Sequence, residues 1–353
     1  MSTLFSSLHP VSRLALAATL FILPACSKDD ALACAGSGGS GGAATTGSAA
    51  TTGSAMSYAP VPDVAKGVPI DQAKGYATEE ISPGFHWITN GSSQAVFFVT
   101  TAGVIVIDAP PDLADGLKLA IAGVTSQPVT HLVYSHYHAD HIGGAAKISA
   151  TAQIVAHSAT KKWLERANDP SRPVPTITFD DSYTLTVGGQ TLELAYKGAN
   201  HVEGNIFIYA PKQRALVLID VVWPGWVPFT ELGEVKDVPG YRAALDAALA
   251  YDFDTFIGGH VGRHGNKDDV KQTKAYVDDL FASAQQALTS VSIYDVGKKV
   301  GFENPYVLVD TWFGEMRTHC ADAVRAKWVG KLGGADVWPE SHCFIAFQSL
   351  RID

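Results

Sequence analysis

Four potential metal ligands fall within six residues of this chain, and that spacing limits its fold more than any other feature. In Ser135-His136-Tyr137-His138-Ala139-Asp140-His141-Ile142-Gly143-Gly144 they follow the apolar run Leu132 to Tyr134. Side chains two apart in an extended segment share a face, so His136 and His138 can reach one metal ion. Asp140 and His141 then fall where the chain turns into a helix, and can serve a second. Histidine is scarce enough that such a string should arise by chance in roughly one chain in a thousand of this length. The string requires a strand that ends at a metal site, with further ligands brought in from elsewhere.

The surrounding pattern supplies strands that could do this. Phe85 to Ile88, Ala95 to Thr100, Val104 to Asp108, His131 to Ser135 and Gln153 to His157 read as strands. Helical spacing runs over Asp112 to Val124, Ile142 to Ser149 and Ser158 to Ala167, with Ser158 suited to cap the last. The second half repeats the theme, with strands at Ser182 to Val187, Thr191 to Tyr196, Asn205 to Ala210, Ala215 to Asp220 and Thr255 to Ile257, and a helix at Gly240 to Ala250. Two strand-rich halves with outer helices predict two sheets packed face to face between helical layers. Lys267 to Ser290 and Thr318 to Gly330 read as amphipathic helices of a C-terminal extension, residues 266–353, on a catalytic domain of residues 60–265.

These residues resemble the metallo-β-lactamase superfamily. The resemblance implies an α/β fold, a four-layer αββα sandwich, and a metal-ligand set that can be sought in order. His201, in Gly198-Ala199-Asn200-His201-Val202-Glu203-Gly204-Asn205, matches the third histidine of the first metal. Asp220 ends a strand where the family places a carboxylate bridging both metals, and His260, after Gly258-Gly259, matches the last ligand of the second. The implied set is His136, His138 and His201 for one ion, Asp140, His141 and His260 for the other, and Asp220 shared. Asp108 resembles the family's aspartate that orients the metal-binding segment without touching metal.

Imidazole and carboxylate suit Zn(II), the expected ion of both sites, while Fe, Mn and Co are compatible. Two such ions can bring a bridging water towards neutrality, giving a hydroxide for the hydrolysis of an ester, lactone or amide. Asp140 is the catalytic candidate, since it can orient that nucleophile or collect its proton. Substrate contacts are expected from Tyr137 between two ligands, from Trp223, Trp226 and Phe229 in the loop after Asp220, and from His264, with Arg263 beside it. Asp220 stands where zinc β-lactamases commonly carry Cys or Ser, which resembles lactonases and thioesterases more closely. The alternatives are a β-lactamase and a mono-iron sulfur dioxygenase of the same fold.

The amino terminus places this chemistry outside the cytosol. Arg13 followed by the apolar run Leu14 to Ala25 has signal-peptide anatomy, and Leu23-Pro24-Ala25-Cys26 resembles the bacterial lipoprotein signal. Residues 1–26 are the expected signal, with a lipid anchor at Cys26 as the only membrane attachment, and residues 27–59 are a Gly/Ser/Ala/Thr-rich tether. The expected location is the periplasm or cell envelope. A net charge of -9 without a Lys/Arg cluster argues against nucleic acid and leaves a small-molecule substrate as the partner. Cys320 and Cys343 can form a disulfide in that compartment or remain buried thiols, and the pairs His319-Cys320 and His342-Cys343 leave open a further metal site.

Overall fold

The computed structural model describes residues 58–353; the expected signal, Cys26, Cys34 and most of the tether lie outside them. A first sheet contains β1 (Ala77–Ser82), β2 (Phe85–Thr89), β3 (Gln94–Thr100), β4 (Gly103–Ile107), β5 (Val129–Val133), β6 (Gln153–His157) and β7 (Ile177–Phe179), adjacent in chain order. Pairing is antiparallel through β4 and parallel from β4 to β7. A second sheet holds β8 (Ser182–Val187), β9 (Gln190–Ala195), β10 (Phe207–Ala210), β11 (Ala215–Val217) and β12 (Thr255–Ile257), in the order β12-β11-β10-β9-β8. Only its β11–β12 pair is parallel.

Strand alternation assigns the layers. In β4, Ile105 and Ile107 meet Ile208, Val217 and Ile257 of the other sheet, forming the core between the sheets. Val104 and Val106 point the other way, onto Leu117 and Ile121 of α1 (Ala114–Val124), Ile142 of α2 (Ala139–Ile142), Ile148 of α3 (Ala145–Ile148) and Leu164 of α4 (Ser158–Ala167). On the second sheet, Phe207, Leu216 and Phe256 face outwards and are covered by the carboxy-terminal half of the chain. That half includes the turn α5 (Thr230–Glu234), then α6 (Val238–Leu249), α7 (Lys267–Ser290), α8 (Ile293–Val300), α9 (Pro305–Trp328) and α10 (Pro339–Ile352). The result is the αββα sandwich, with central strands apolar on both faces because both are covered.

Some elements depart from the sequence reading. The helix expected over Ile142 to Ser149 is split at Gly143-Gly144, where Gly144 lies against Ala109 and Ala114 so closely that a Cβ would come within 2.5 Å of the Ala114 methyl. Ser158 does not cap α4: His157 does, accepting from Ala159 N at 3.1 Å, while the Ser158 hydroxyl donates to Asp180. Helix α9 begins at Pro305 rather than near Thr318, started by Asn304, whose side chain accepts from Tyr306 N and Val307 N. Its first turns carry exposed Tyr306, Val307 and Val309, so the apolar period that would reveal a helix is missing there. Cys320 of α9 and Cys343 of α10 form a disulfide. His342 hydrogen-bonds to Tyr276 and Phe229, and neither His-Cys pair forms a metal cluster among the described residues.

Candidate metal centre

The strands deliver the functional side chains to one edge of the sandwich. The Ser135 to His138 segment follows β5, His201 lies between β9 and β10, Asp220 follows β11 and His260 follows β12. Asp108 directly follows β4 with φ 57°, and Asp220 adopts φ 61°. Left-handed backbone at a residue other than glycine is uncommon and costs on the order of 1–3 kcal/mol, a strain that concentrates at functional positions.

Two clusters form around the Asp220 carboxylate. In the first, Asp220 Oδ2 lies 3.5 Å from His136 Nε2 and 3.4 Å from His201 Nε2, and His201 Nε2 faces His138 Nδ1 at 3.1 Å. In the second, Asp220 Oδ2 is 2.9 Å from His141 Nε2 and Asp220 Oδ1 is 3.2 Å from His260 Nε2, while Asp140 Oδ2 is 3.5 Å from each of those two imidazoles. Within each cluster one potential ligand atom per residue lies within 4.8 Å of all the others. All seven expected ligands are thus brought together in two groups with one shared carboxylate.

The donors suit a divalent cation. His136 Nε2, His141 Nε2 and Asp220 Oδ1 are buried and lack a properly directed hydrogen bond, an arrangement that costs about 1–3 kcal/mol per group unless a cation satisfies it. Burial, then the neighbouring imidazoles of His138 and His141, holds the His136 pKa well below its ordinary value. Burial likewise brings His201 down to about 4, so both rings keep lone pairs for ligation. For His260 burial works in the same direction, but Asp220 and Asp140 outweigh it and push the ring up to about 10. Burial alone would raise Asp220; the imidazoles of His141 and His260 prevail and hold it well below the carboxylate range. The second cluster therefore attracts positive charge strongly.

A buried relay fixes the first cluster. Asp108 accepts from Ser135 N at 2.8 Å and from Ser135 Oγ at 2.6 Å, and Ser135 Oγ lies 2.9 Å from His136 Nδ1. Asp108 thus acts on His136 through Ser135, leaving Nε2 to point at Asp220. Burial pushes the Asp108 pKa up to about 6, against the opposing His141 charge and Ser135 hydrogen bonds.

Three supports had no role in the sequence reading. Asn200 Oδ1 accepts from His201 N at 2.6 Å and from Asn205 Nδ2 at 2.9 Å, and Asn205 also donates to Ile219 O, tying the His201 loop to the Asp220 strand. Gln94, buried in β3, donates to the backbone oxygens of His260, Val261 and Arg263. Gly259 has φ 91°, and a Cβ there would lie 2.9 Å from His141 Cε1. The Asn200 and Asn205 amides stand inside the His201 motif, but Gln94 carries no signal because its partners are more than 160 residues away.

Of the expected substrate contacts, Trp223 and Phe229 line a cleft of about 270 Å³ over the two clusters, together with Gly233 and Glu234. Trp223 is stacked parallel to His260 with ring centres 6.2 Å apart, and Phe229 meets His260 edge-on at 5.3 Å. Trp226 turns away because Gly225 reverses the chain at φ 80°; its indole N–H donates to Ala65 O and it pairs with Gly333. Tyr137 stacks on Trp163 at 5.0 Å, outside the cleft lining. His264 sits against Trp87 and Glu79, and Arg263 is bound to Asp269 and to Val64 O. Local partners in the fold thus hold Trp226, Tyr137, His264 and Arg263 outside the lining of this cleft.

The superfamily model of the metallo-beta-lactamases matches residues 88–260, which include both clusters. The chain belongs to the metallo-beta-lactamase superfamily. Superfamily members are mostly metal-dependent hydrolases. The α subunit of 2,4-dinitroanisole O-demethylase of Nocardioides sp. (strain JS1661) is 26% identical over 58% of this chain and 64% of its own length. The type 2 metallo-beta-lactamase of Bacteroides fragilis is 26% identical over 45% of this chain and 63% of its own. The chain thus spans less than two thirds of these relatives. A solved metallo-beta-lactamase from Pontibacter korlensis superposes with a TM-score of 0.50 at 22% identity, covering 57% of this chain and 97% of that one, and supports the fold.

Proposed function

We propose that this protein is a dinuclear, zinc-dependent hydrolase of an ester, lactone or amide. One observation carries the reading: the Asp220 carboxylate is shared between a three-histidine cluster and a second cluster of Asp140, His141 and His260. Two divalent ions would supply Lewis acidity for a substrate oxygen and lower the pKa of a water placed between them. His136, His138 and His201 would hold one, and Asp140, His141 and His260 the other. The chain's own contribution to proton transfer is Asp140. The opposing effects on its pKa sum to a lowered value, so it is ionised at neutral pH. Its Oδ2 faces His141 and His260, leaving Oδ1 to orient a water or take its proton. Trp223 and Phe229 give the cleft an apolar wall for the body of a substrate.

Metal analysis of purified protein, followed by turnover assays on lactones, aryl esters, β-lactams and phosphoesters, tests this proposal. Aryl methyl ethers belong in the panel because one relative is named an O-demethylase. Close to two ions per chain and turnover of a carboxylic ester, lactone or amide are expected; one ion at most after metal is supplied would overturn the dinuclear reading. We also propose that the protein works outside the cytosol, tethered by lipid at Cys26. The signal-like amino terminus and the Cys320–Cys343 disulfide support export.

A further inference from the structure

We infer that Glu234 sets a charge preference in the cleft, favouring substrates with a cationic group over those with a carboxylate. The inference rests on the reading of this cleft as the hydrolytic site.

The lining of the cleft contains no lysine or arginine. Its three carboxylates are Asp140, Asp220 and Glu234, and they differ in their partners. Asp140 and Asp220 each face imidazoles in the clusters. Glu234 forms no ion pair among the described residues and is exposed at the rim, close enough for its charge to act on His138. Lys236, the nearest basic residue in sequence, is exposed and lies outside the lining. Glu234 is therefore a carboxylate without an ion-pair partner among the described residues, and it shares the lining with the part-exposed ring of Phe229. A carboxylate beside an aromatic face recognises an ammonium or guanidinium group by direct attraction and by the ring quadrupole. The same pair meets a carboxylate with repulsion and offers it no hydrogen-bond donor, and this contribution is read as a difference between variants, to which the charge of the two ions proposed for the clusters is common.

The backbone holds this arrangement in place. Glu231, Leu232, Gly233 and Glu234 have φ of 51°, 57°, 78° and 60°, one turn of left-handed helix closed by Gly233 N to Phe229 O and Val235 N to Glu231 O. Such a turn costs about 1–2 kcal/mol per residue other than glycine, so its surroundings must enforce it. Leu232 is fully buried, Gly233 packs against Trp223 where a Cβ would come within 2.2 Å of the ring, and Ser341 of α10 accepts from Glu231 N. A free rim loop would relax; this one is fixed, with Glu234 at its end.

The test uses the purified full chain and three phenyl esters that differ in one acyl substituent: trimethylammonium, tert-butyl or carboxylate. The measured quantity is the ratio of kcat/KM for the cation to that for the anion. Glu234→Gln should lower this ratio about fivefold, the upper range for an exposed charge pair, and Glu234→Lys should lower it further. Glu231→Gln, in the same turn but outside the lining, should leave it within about twofold. A ratio unmoved by both Glu234 variants, or moved as much by Glu231→Gln, would overturn the inference. Calorimetric affinities for phenyltrimethylammonium and benzoate give the same comparison without turnover. If none of these esters is cleaved, the binding ratio still decides the role of Glu234, and the hydrolase reading is decided separately by the lactone and amide substrates of the wider panel.

Discussion

Among single residues, Asp140 is the one at which the proposed metal holding and the proposed proton transfer can be told apart. It is the one carboxylate of the centre with substantial exposure, its side chain being 59% accessible against 4% for Asp220. Asp140→Asn keeps an oxygen for ligation but accepts no proton at working pH, so turnover should fall by about a hundredfold or more. Metal held by His136, His138 and His201 should persist; near-normal turnover at full occupancy would make Asp140 a spectator. Asp220→Ala removes the carboxylate common to both clusters and should lower metal content as well as turnover, as metal analysis of the same preparation would show. The two clusters were legible in the sequence because the spacing of their residues and their positions after apolar strands are local features. The directions of Trp226 and His264 are not legible there, because they are set by Ala65, Gly333 and Glu79, which no local pattern ties to them.

At the element scale, α10 braces the cleft wall through His342. Its Nε2–H donates to Phe229 O at 2.7 Å, which leaves Nδ1 to accept from the Tyr276 hydroxyl at 2.7 Å. Burial brings its pKa from 6.5 down to about 4, against the opposing carbonyl bonds. The unfolded chain therefore binds this proton first as pH falls. The contribution is fully present above about 6.5 and is lost progressively down to about 4, an effect of about 3 kcal/mol. Denaturant melts over that range should show a steeper loss in the native chain than in His342→Gln; parallel curves would mean that His342 does not titrate between the two states. The Cys320–Cys343 bond holds α10 to α9 across 23 residues. Chain-entropy arguments give about 3 kcal/mol for such a loop, so Cys320→Ala with Cys343→Ala should lower Tm by several degrees. The sequence left this bridge open, because pairing depends on how α9 and α10 pack, and the first turns of α9 lack an amphipathic signal.

At the scale of the whole molecule, the αββα arrangement follows from strands apolar on both faces, and this much is legible in the sequence alone: a strand covered on each side cannot alternate with polar residues. The cover over the second sheet was less readable, because α7, α9 and α10 meet the strands only through long-range packing. Among the described residues no helix is long and apolar enough to cross a membrane. The proposed membrane attachment is the lipid at Cys26, outside the described residues, which follows Leu23-Pro24-Ala25. A single acyl chain gives only marginal, reversible membrane binding, whereas two or more chains on one cysteine anchor stably. Replacing the thiol removes the attachment point without touching the metal centre. Cys26→Ser, expressed in a bacterial host and fractionated, should therefore move from the membrane to the soluble fraction, or accumulate with its signal uncleaved. Metal content and turnover of the released protein should match those of the native chain. A normally processed Cys26→Ser variant that still sediments with membranes would rule out anchoring through this cysteine, and an unprocessed native chain retained in the cytosol would rule out export.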